Sequence, residues 1–134
     1  LKICDFGLSR VTAGGSAEHL SKADTGTYIY VAPEVVVLEG EASQVAYTTA
    51  CDIYSYAVLI NEMASMTVPW AEIERPPFAK QYIVFNKVKT GERPSLAVGA
   101  VATPEFQQLV QDCWSQHPGN RPAFDKIQER LREL

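Results

Sequence analysis

Leu1-Lys2-Ile3-Cys4-Asp5-Phe6-Gly7 opens the chain, and Gly26-Thr27-Tyr28-Ile29-Tyr30-Val31-Ala32-Pro33-Glu34 follows after a polar interval. Residues 1–4 alternate apolar and polar and run straight into Asp5, the pattern of a short strand ending at a loop. Residues 8–31 behave differently: Ala13-Gly14-Gly15-Ser16 and a scatter of Ser, Thr, Lys and Asp carry neither a helical nor a strand period, which is the composition of a long loop. A carboxylate at the end of a strand, followed by such a loop, is a candidate functional position.

Beyond Tyr47 the pattern becomes helical. Thr48 to Ala64 places apolar groups on nearly every face of a 3.6-residue period, so this helix is expected to be buried on most sides. Its first turn carries Asp52, where a carboxylate is favoured by free N–H groups and the helix dipole. A shorter helix is expected around Ala79 to Thr90, ending at Gly91. Thr103 reads as an N-cap before Pro104, with Phe106, Leu109, Val110 and Cys113 at the spacing of one core face. A last helix is expected from Pro122, with Phe124, Ile127 and Leu131 inward and Lys126, Glu129, Arg130 and Arg132 in water. Arg75-Pro76-Pro77-Phe78 and Gly91-Glu92-Arg93-Pro94 are too short for domain linkers, and no internal repeat is visible, so residues 1–134 read as one unit.

Composition narrows the class. The chain has 134 residues, 46% of them hydrophobic, enough for a single core. A formal charge of −4 argues against binding nucleic acid or an anionic membrane as a whole. Cys4, Cys51 and Cys113 share no Cys-x-x-Cys spacing, so neither a disulfide framework nor a zinc site is indicated, and a reducing, cytoplasmic setting fits. There is no run of about 18 apolar residues for a membrane span. The start at Leu1, in mid-pattern and without Met, suggests a piece of a longer protein.

Taken in order, Asp5-Phe6-Gly7, Gly26-Thr27-Tyr28-Ile29-Tyr30-Val31, Ala32-Pro33-Glu34, Asp52-Ile53-Tyr54-Ser55-Tyr56-Ala57, and Cys113-Trp114 with His117-Pro118-Gly119-Asn120-Arg121-Pro122 resemble the second half of a protein kinase domain. The resemblance covers essentially the whole chain. It implies a mainly α fold, the C-terminal lobe of a domain that is α+β when complete, with one short strand, an activation loop and then helices.

It also implies roles residue by residue. Asp5 would hold Mg²⁺ against the phosphates of ATP, Phe6 would set which way Asp5 faces, and Cys4 would line the nucleotide pocket. Thr27 and Tyr30 would lie in a substrate-docking loop. Glu34 and Arg121 would form a buried ion pair that anchors that loop, and Asp52 would meet the backbone of the catalytic loop. Ser21 and Thr25, ahead of Ser16, are the preferred hydroxyls for phosphorylation by an upstream kinase, because a phosphate adds about −1.5 to −2 charges and can order a loop.

Gly26-Thr27 with Tyr30 resembles serine/threonine kinases, whereas Cys113-Trp114 and Arg121-Pro122-Ala123-Phe124 lean toward tyrosine kinases. That mixture resembles the tyrosine-kinase-like group of serine/threonine kinases acting on protein substrates. The sequence departs from the family at Ala57, usually glycine, and at Asn61, often tryptophan in the related group, so packing around the central helix is expected to differ. The Gly-rich loop, the strand lysine and the His-Arg-Asp loop, which precede Asp5 in the family, are not in these 134 residues. The chain alone is therefore expected not to catalyse, and its central helix is expected to show a sizeable apolar patch where a preceding helix normally covers it. The alternative is a non-catalytic pseudokinase or a truncated protein-binding module.

Overall fold

Apolar residues on successive turns after Tyr47 produce α1 (Thr49–Ser65), the axis of the molecule. The computed structural model describes residues 2, 4, 28–37 and 47–134. The expected opening strand, apart from Lys2 and Cys4, and the loop up to Thr27, with Ser16, Ser21 and Thr25, lie outside the described residues. Among those described there is no strand. Three further helices follow α1: α2 (Pro77–Lys89), α3 (Pro104–Cys113) and α4 (Phe124–Glu133). Short 3-10 turns sit at Tyr28–Tyr30, Pro33–Val35 and Pro118–Asn120. The mainly α architecture expected of a kinase C-terminal lobe is what these residues form.

Local chemistry sets the helix ends. The Thr103 hydroxyl accepts from the Phe106 backbone N–H at 3.2 Å, and Pro104 occupies the first turn, where a missing N–H costs nothing. α2 ends in a Schellman motif: Glu92 N–H donates to Lys87 C=O at 2.8 Å and Gly91 N–H to Val88 C=O at 3.2 Å. Gly91 takes the required left-handed conformation, φ 94°. α1 ends differently, with Met66 in the left-handed region at φ 53°. A side chain there is strained, whereas glycine would not be.

Packing follows the periodicity. Phe106, Leu109, Val110 and Cys113 are all buried, so α3 turns the expected face to the core. α1 buries Cys51, Ile53, Tyr54, Ala57, Val58 and Asn61. α4 starts at Phe124 rather than at Pro122, because Arg121 and Ala123 are extended (ψ 133° and 158°) and carry the chain away from α3 first. A residue before proline is pushed out of the helical region, and Arg121 is that residue. Of the expected α4 stripe, Ile127 is buried and Leu131 partly so, while Phe124 is exposed and meets Tyr56 edge to face at 5.7 Å. Arg130, expected in water, reaches back to Asp112 of α3 at 2.7 Å.

Asn61 explains one departure from the family pattern. It is buried, its amide N–H donates to Ser95 C=O at 3.0 Å, and its amide oxygen accepts from Ala97 N–H at 2.8 Å. The segment between α2 and α3 is thereby fastened to α1 by one side chain. Ala57 is also fully buried, so its methyl has been taken into the core.

Met66→Gly is expected to stabilise the protein by about 1 kcal/mol, because it removes left-handed strain at an exposed position. Thermal unfolding should show a melting temperature higher by roughly 4 °C, and an unchanged one would mean that Met66 is not strained. Asn61→Leu strands the Ser95 carbonyl and the Ala97 N–H without partners, and is expected to lower unfolding free energy by about 2–4 kcal/mol in a urea titration.

Candidate functional site

Glu34 stands in the 3-10 turn Pro33–Val35, whose other two residues are buried and fix its direction. Arg121 approaches from the far end of the chain. Its Nη1 donates to Glu34 Oε1 at 2.6 Å and its Nη2 to Glu34 Oε2 at 2.8 Å, a bidentate pair. The same guanidinium donates to Ala50 C=O at 2.8 Å and, through Nε, to Ser115 C=O at 2.9 Å. Cys51 adds a thiol donor to Glu34 Oε1 at 3.4 Å. The Arg121 side chain is 0% exposed and that of Glu34 20%, so the pair lies largely out of water.

Burial by itself would push the Glu34 carboxyl up. The Arg121 hydrogen bonds and charge, a backbone N–H and the Cys51 thiol outweigh it and hold the carboxyl below its ordinary value of 4.5. Burial, followed by smaller contributions that include the Glu34 charge, pushes the Cys51 thiol up, which keeps it protonated and donating. The sequence-based expectation of a buried Glu34–Arg121 pair matches this geometry.

The Tyr28–Tyr30 turn just before Glu34 is tied to α1 at two points. The Tyr30 hydroxyl donates to Glu62 Oε2 at 2.6 Å, and the Ser55 hydroxyl donates to Tyr30 C=O at 2.9 Å. Burial first, then the Glu62 hydrogen bond and charge, pushes the Tyr30 phenol up to about 12. Sequence reading named Tyr30 and passed over Ser55 and Glu62. The signal was available, since both are polar, seven residues apart and therefore on one face of an otherwise apolar helix.

Asp52 lies in the first turn of α1 and is exposed; it makes no cap, the N-cap being Thr48 without a side-chain bond. Partial burial pushes its carboxyl up from 3.8. Asp52 borders an open groove of about 1760 Å³, lined among others by Tyr28, Val35, Cys51, Phe85, Ile127 and Leu131. The exposure of Leu59, another lining residue, marks the bare side of α1. Cys4 is exposed, while Asp5, Phe6, Thr27, Ser21 and Thr25 lie outside the described residues. Among the described residues no group of three or more His, Cys, Asp or Glu could hold a metal ion, and no helix is long and apolar enough to cross a membrane.

A helical lobe built on a buried apolar helix, with a Pro-Glu turn clamped by an arginine from the closing segment, is the arrangement expected of the C-terminal half of a kinase domain. The family model described as protein kinase domain matches residues 1–131, and the chain belongs to that family. It is 30% identical over 134 residues to the dual specificity protein kinase shkD of Dictyostelium discoideum, covering 100% of this chain and 16% of the relative. It is 34% identical over 134 residues to the serine/threonine-protein kinase CTR1 of Arabidopsis thaliana, covering 100% of this chain and 14% of the relative. It is 30% identical over 134 residues to a putative mitogen-activated protein kinase kinase kinase 7-like protein of Drosophila melanogaster, covering 99% and 31%. The chain thus spans less than a third of the length of each of these relatives.

Removing the guanidinium leaves a carboxylate in a largely buried place, so Arg121→Ala is expected to cost about 3–5 kcal/mol in a denaturant titration. Arg121→Lys should fall between the two, because an ammonium cannot make the fork. The pH dependence has a fixed sign. With the folded carboxyl held below its unfolded value, the contribution of Glu34 is fully present above about pH 4.5 and is lost as pH falls through the lower folded value. Glu34→Gln should flatten that acid limb, and an unaltered limb would show that Glu34 is not its source.

Proposed function

We propose that this chain is the C-terminal lobe of a serine/threonine protein kinase of the tyrosine-kinase-like group, whose full-length protein transfers the γ-phosphoryl of ATP to hydroxyls of protein substrates in the cytoplasm. The observation that carries the reading is the bidentate Glu34–Arg121 pair, with the Tyr28–Tyr30 turn fastened beside it by Ser55 and Glu62. A loop held by an apolar helix at one end and by an arginine of the closing segment at the other can present a peptide at a fixed distance from the reacting phosphate, and positioning is most of what phosphoryl transfer asks of a protein.

In this reading Asp5 would hold Mg²⁺, Phe6 would set which way Asp5 faces, and Cys4 would border the ATP pocket. Mg²⁺ would neutralise charge on the phosphates as the γ-phosphoryl leaves. Thr27 and Tyr30 belong to the docking loop. Phosphorylation of Ser21 or Thr25 by an upstream kinase would add charge where the loop must order.

The groove along α1 would receive the preceding helix and catalytic loop of the complete domain, with Asp52 meeting that loop's backbone. Its lining supports this: a largely apolar trough with two exposed carboxylates, Asp52 and Asp125, suits a helix and a run of backbone N–H groups.

Two measurements test the reading. The full-length protein with ATP, Mg²⁺ and a mixed peptide library should yield phosphoserine and phosphothreonine, and Asp5→Asn should reduce the rate by about 100-fold or more. A wild-type protein that binds partners but transfers no phosphate would establish the pseudokinase alternative instead. Residues 1–134 alone should be inactive and should enhance the fluorescence of an apolar dye; the full-length protein should not, and equal dye binding by both would mean that nothing covers the groove.

A further inference from the structure

Tyr54 is 1% exposed in the second turn of α1, and its hydroxyl has no hydrogen-bond partner among the described residues. Its phenolic end therefore does not fix the ring. Two cations lie over it: the Arg121 guanidinium carbon is 5.1 Å from the ring centroid and that of Arg93 5.0 Å. Both are within the range of a cation–π attraction, which strengthens where water is excluded.

Arg121 answers to Glu34, but no carboxylate pairs with Arg93 among the described residues. Arg93 is held by oxygens at two helix ends. Its Nε donates to Trp114 C=O at 2.9 Å, at the C-cap of α3, and its Nη1 to Glu92 C=O at 2.7 Å and to Val88 C=O, in the last turn of α2, at 3.5 Å. Its Nη2 donates to Gln116 Oε1 at 2.7 Å, and Gln116 in turn donates to Lys89 C=O at 3.1 Å. The negative ends of α2 and α3 converge on one guanidinium and supply its countercharge. A planar fork held at all three nitrogens has little freedom to turn, so the face it presents to Tyr54 is fixed.

We propose that Arg93 is a positioning residue for the docking loop: locked to the ends of α2 and α3, it fixes the Tyr54 ring on which Arg121 rests, and so fixes the fork that grips Glu34. The proposal rests on the kinase reading and adds a residue to it. The chain of contacts runs from Arg93 to the Tyr54 ring, to Arg121, to Glu34 and to the Tyr28–Tyr30 turn. Arg93 touches no substrate, and its effect should fall on the protein substrate, which the loop holds, rather than on ATP, which it does not.

The test uses the full-length protein. Arg93→Gln is expected to raise KM for a protein substrate at least about threefold while KM for ATP stays unchanged, and Tyr54→Leu is expected to do the same. Tyr54→Phe keeps the ring and should keep the low KM. The double variant Arg93→Gln with Tyr54→Leu should be no worse than either alone, because both break one chain of contacts.

Arg93→Lys keeps the charge without the fork and should be intermediate, which preserves the test if Tyr54→Leu does not fold. Unchanged protein-substrate KM in Arg93→Gln, or fully additive effects, would overturn the proposal and leave Arg93 a stability residue. If the wild-type protein transfers no phosphate, the kinase reading fails, and the acid unfolding of Arg93→Gln still decides. The upward shift of the acid midpoint caused by Arg93→Gln should be lost in a Glu34→Gln background, and a shift of equal size in both backgrounds sinks the coupling.

Discussion

Arg121 reaches across the molecule to hold both oxygens of Glu34, and much of the lobe is arranged around that contact. An arginine so deeply buried is tolerable only because nearly every donor is used: two on Glu34, one on Ala50 and one on Ser115. Those acceptors belong to the Pro-Glu turn, the first turn of α1 and the segment after α3. One side chain therefore sets the mutual placement of three separated pieces of chain, and the thiol of Cys51 and the ring of Tyr54 fit around it.

The central helix shows the opposite economy. One side of α1 is packed by α3 and fastened to the segment after α2 by Asn61, while another side borders an open trough with Leu59 exposed. Tyr56 is only partly buried and meets Phe124 edge to face. A helix apolar on nearly all faces but covered on part of them is under strong pressure to bury the rest, since each square ångström of apolar surface left in water forgoes roughly 25 cal/mol.

What could be read from the chain beforehand depended on range. α3 was legible to the residue, because Thr103, Pro104 and the Phe106–Leu109–Val110–Cys113 face are all local signals. The end of α2 at Gly91 was equally local. α4 was placed too early, because Pro122 looked like a first-turn proline although the residues around it had to stay extended for Arg121 to reach Glu34. The Glu34–Arg121 pair came from resemblance to a family, not from spacing. Tyr30–Glu62, Asn61 with Ser95 and Ala97, and the Arg93 cluster were missed. Each is a tertiary choice of partner, and periodicity reports which face a residue occupies but not whom it meets there.

Glu34 and Arg121 are separated by 87 positions, nearly the length of the described helical lobe. A chain made from its N-terminus releases the Pro-Glu turn before its clamp. At the usual pace of synthesis, about 5–20 residues per second, the carboxylate waits roughly 4–17 s for its arginine. During that interval the turn is held to α1 by the Tyr30–Glu62 and Ser55–Tyr30 hydrogen bonds, whose α1 partners are made well before Arg121. The order of manufacture thus builds the turn's hinge before its latch.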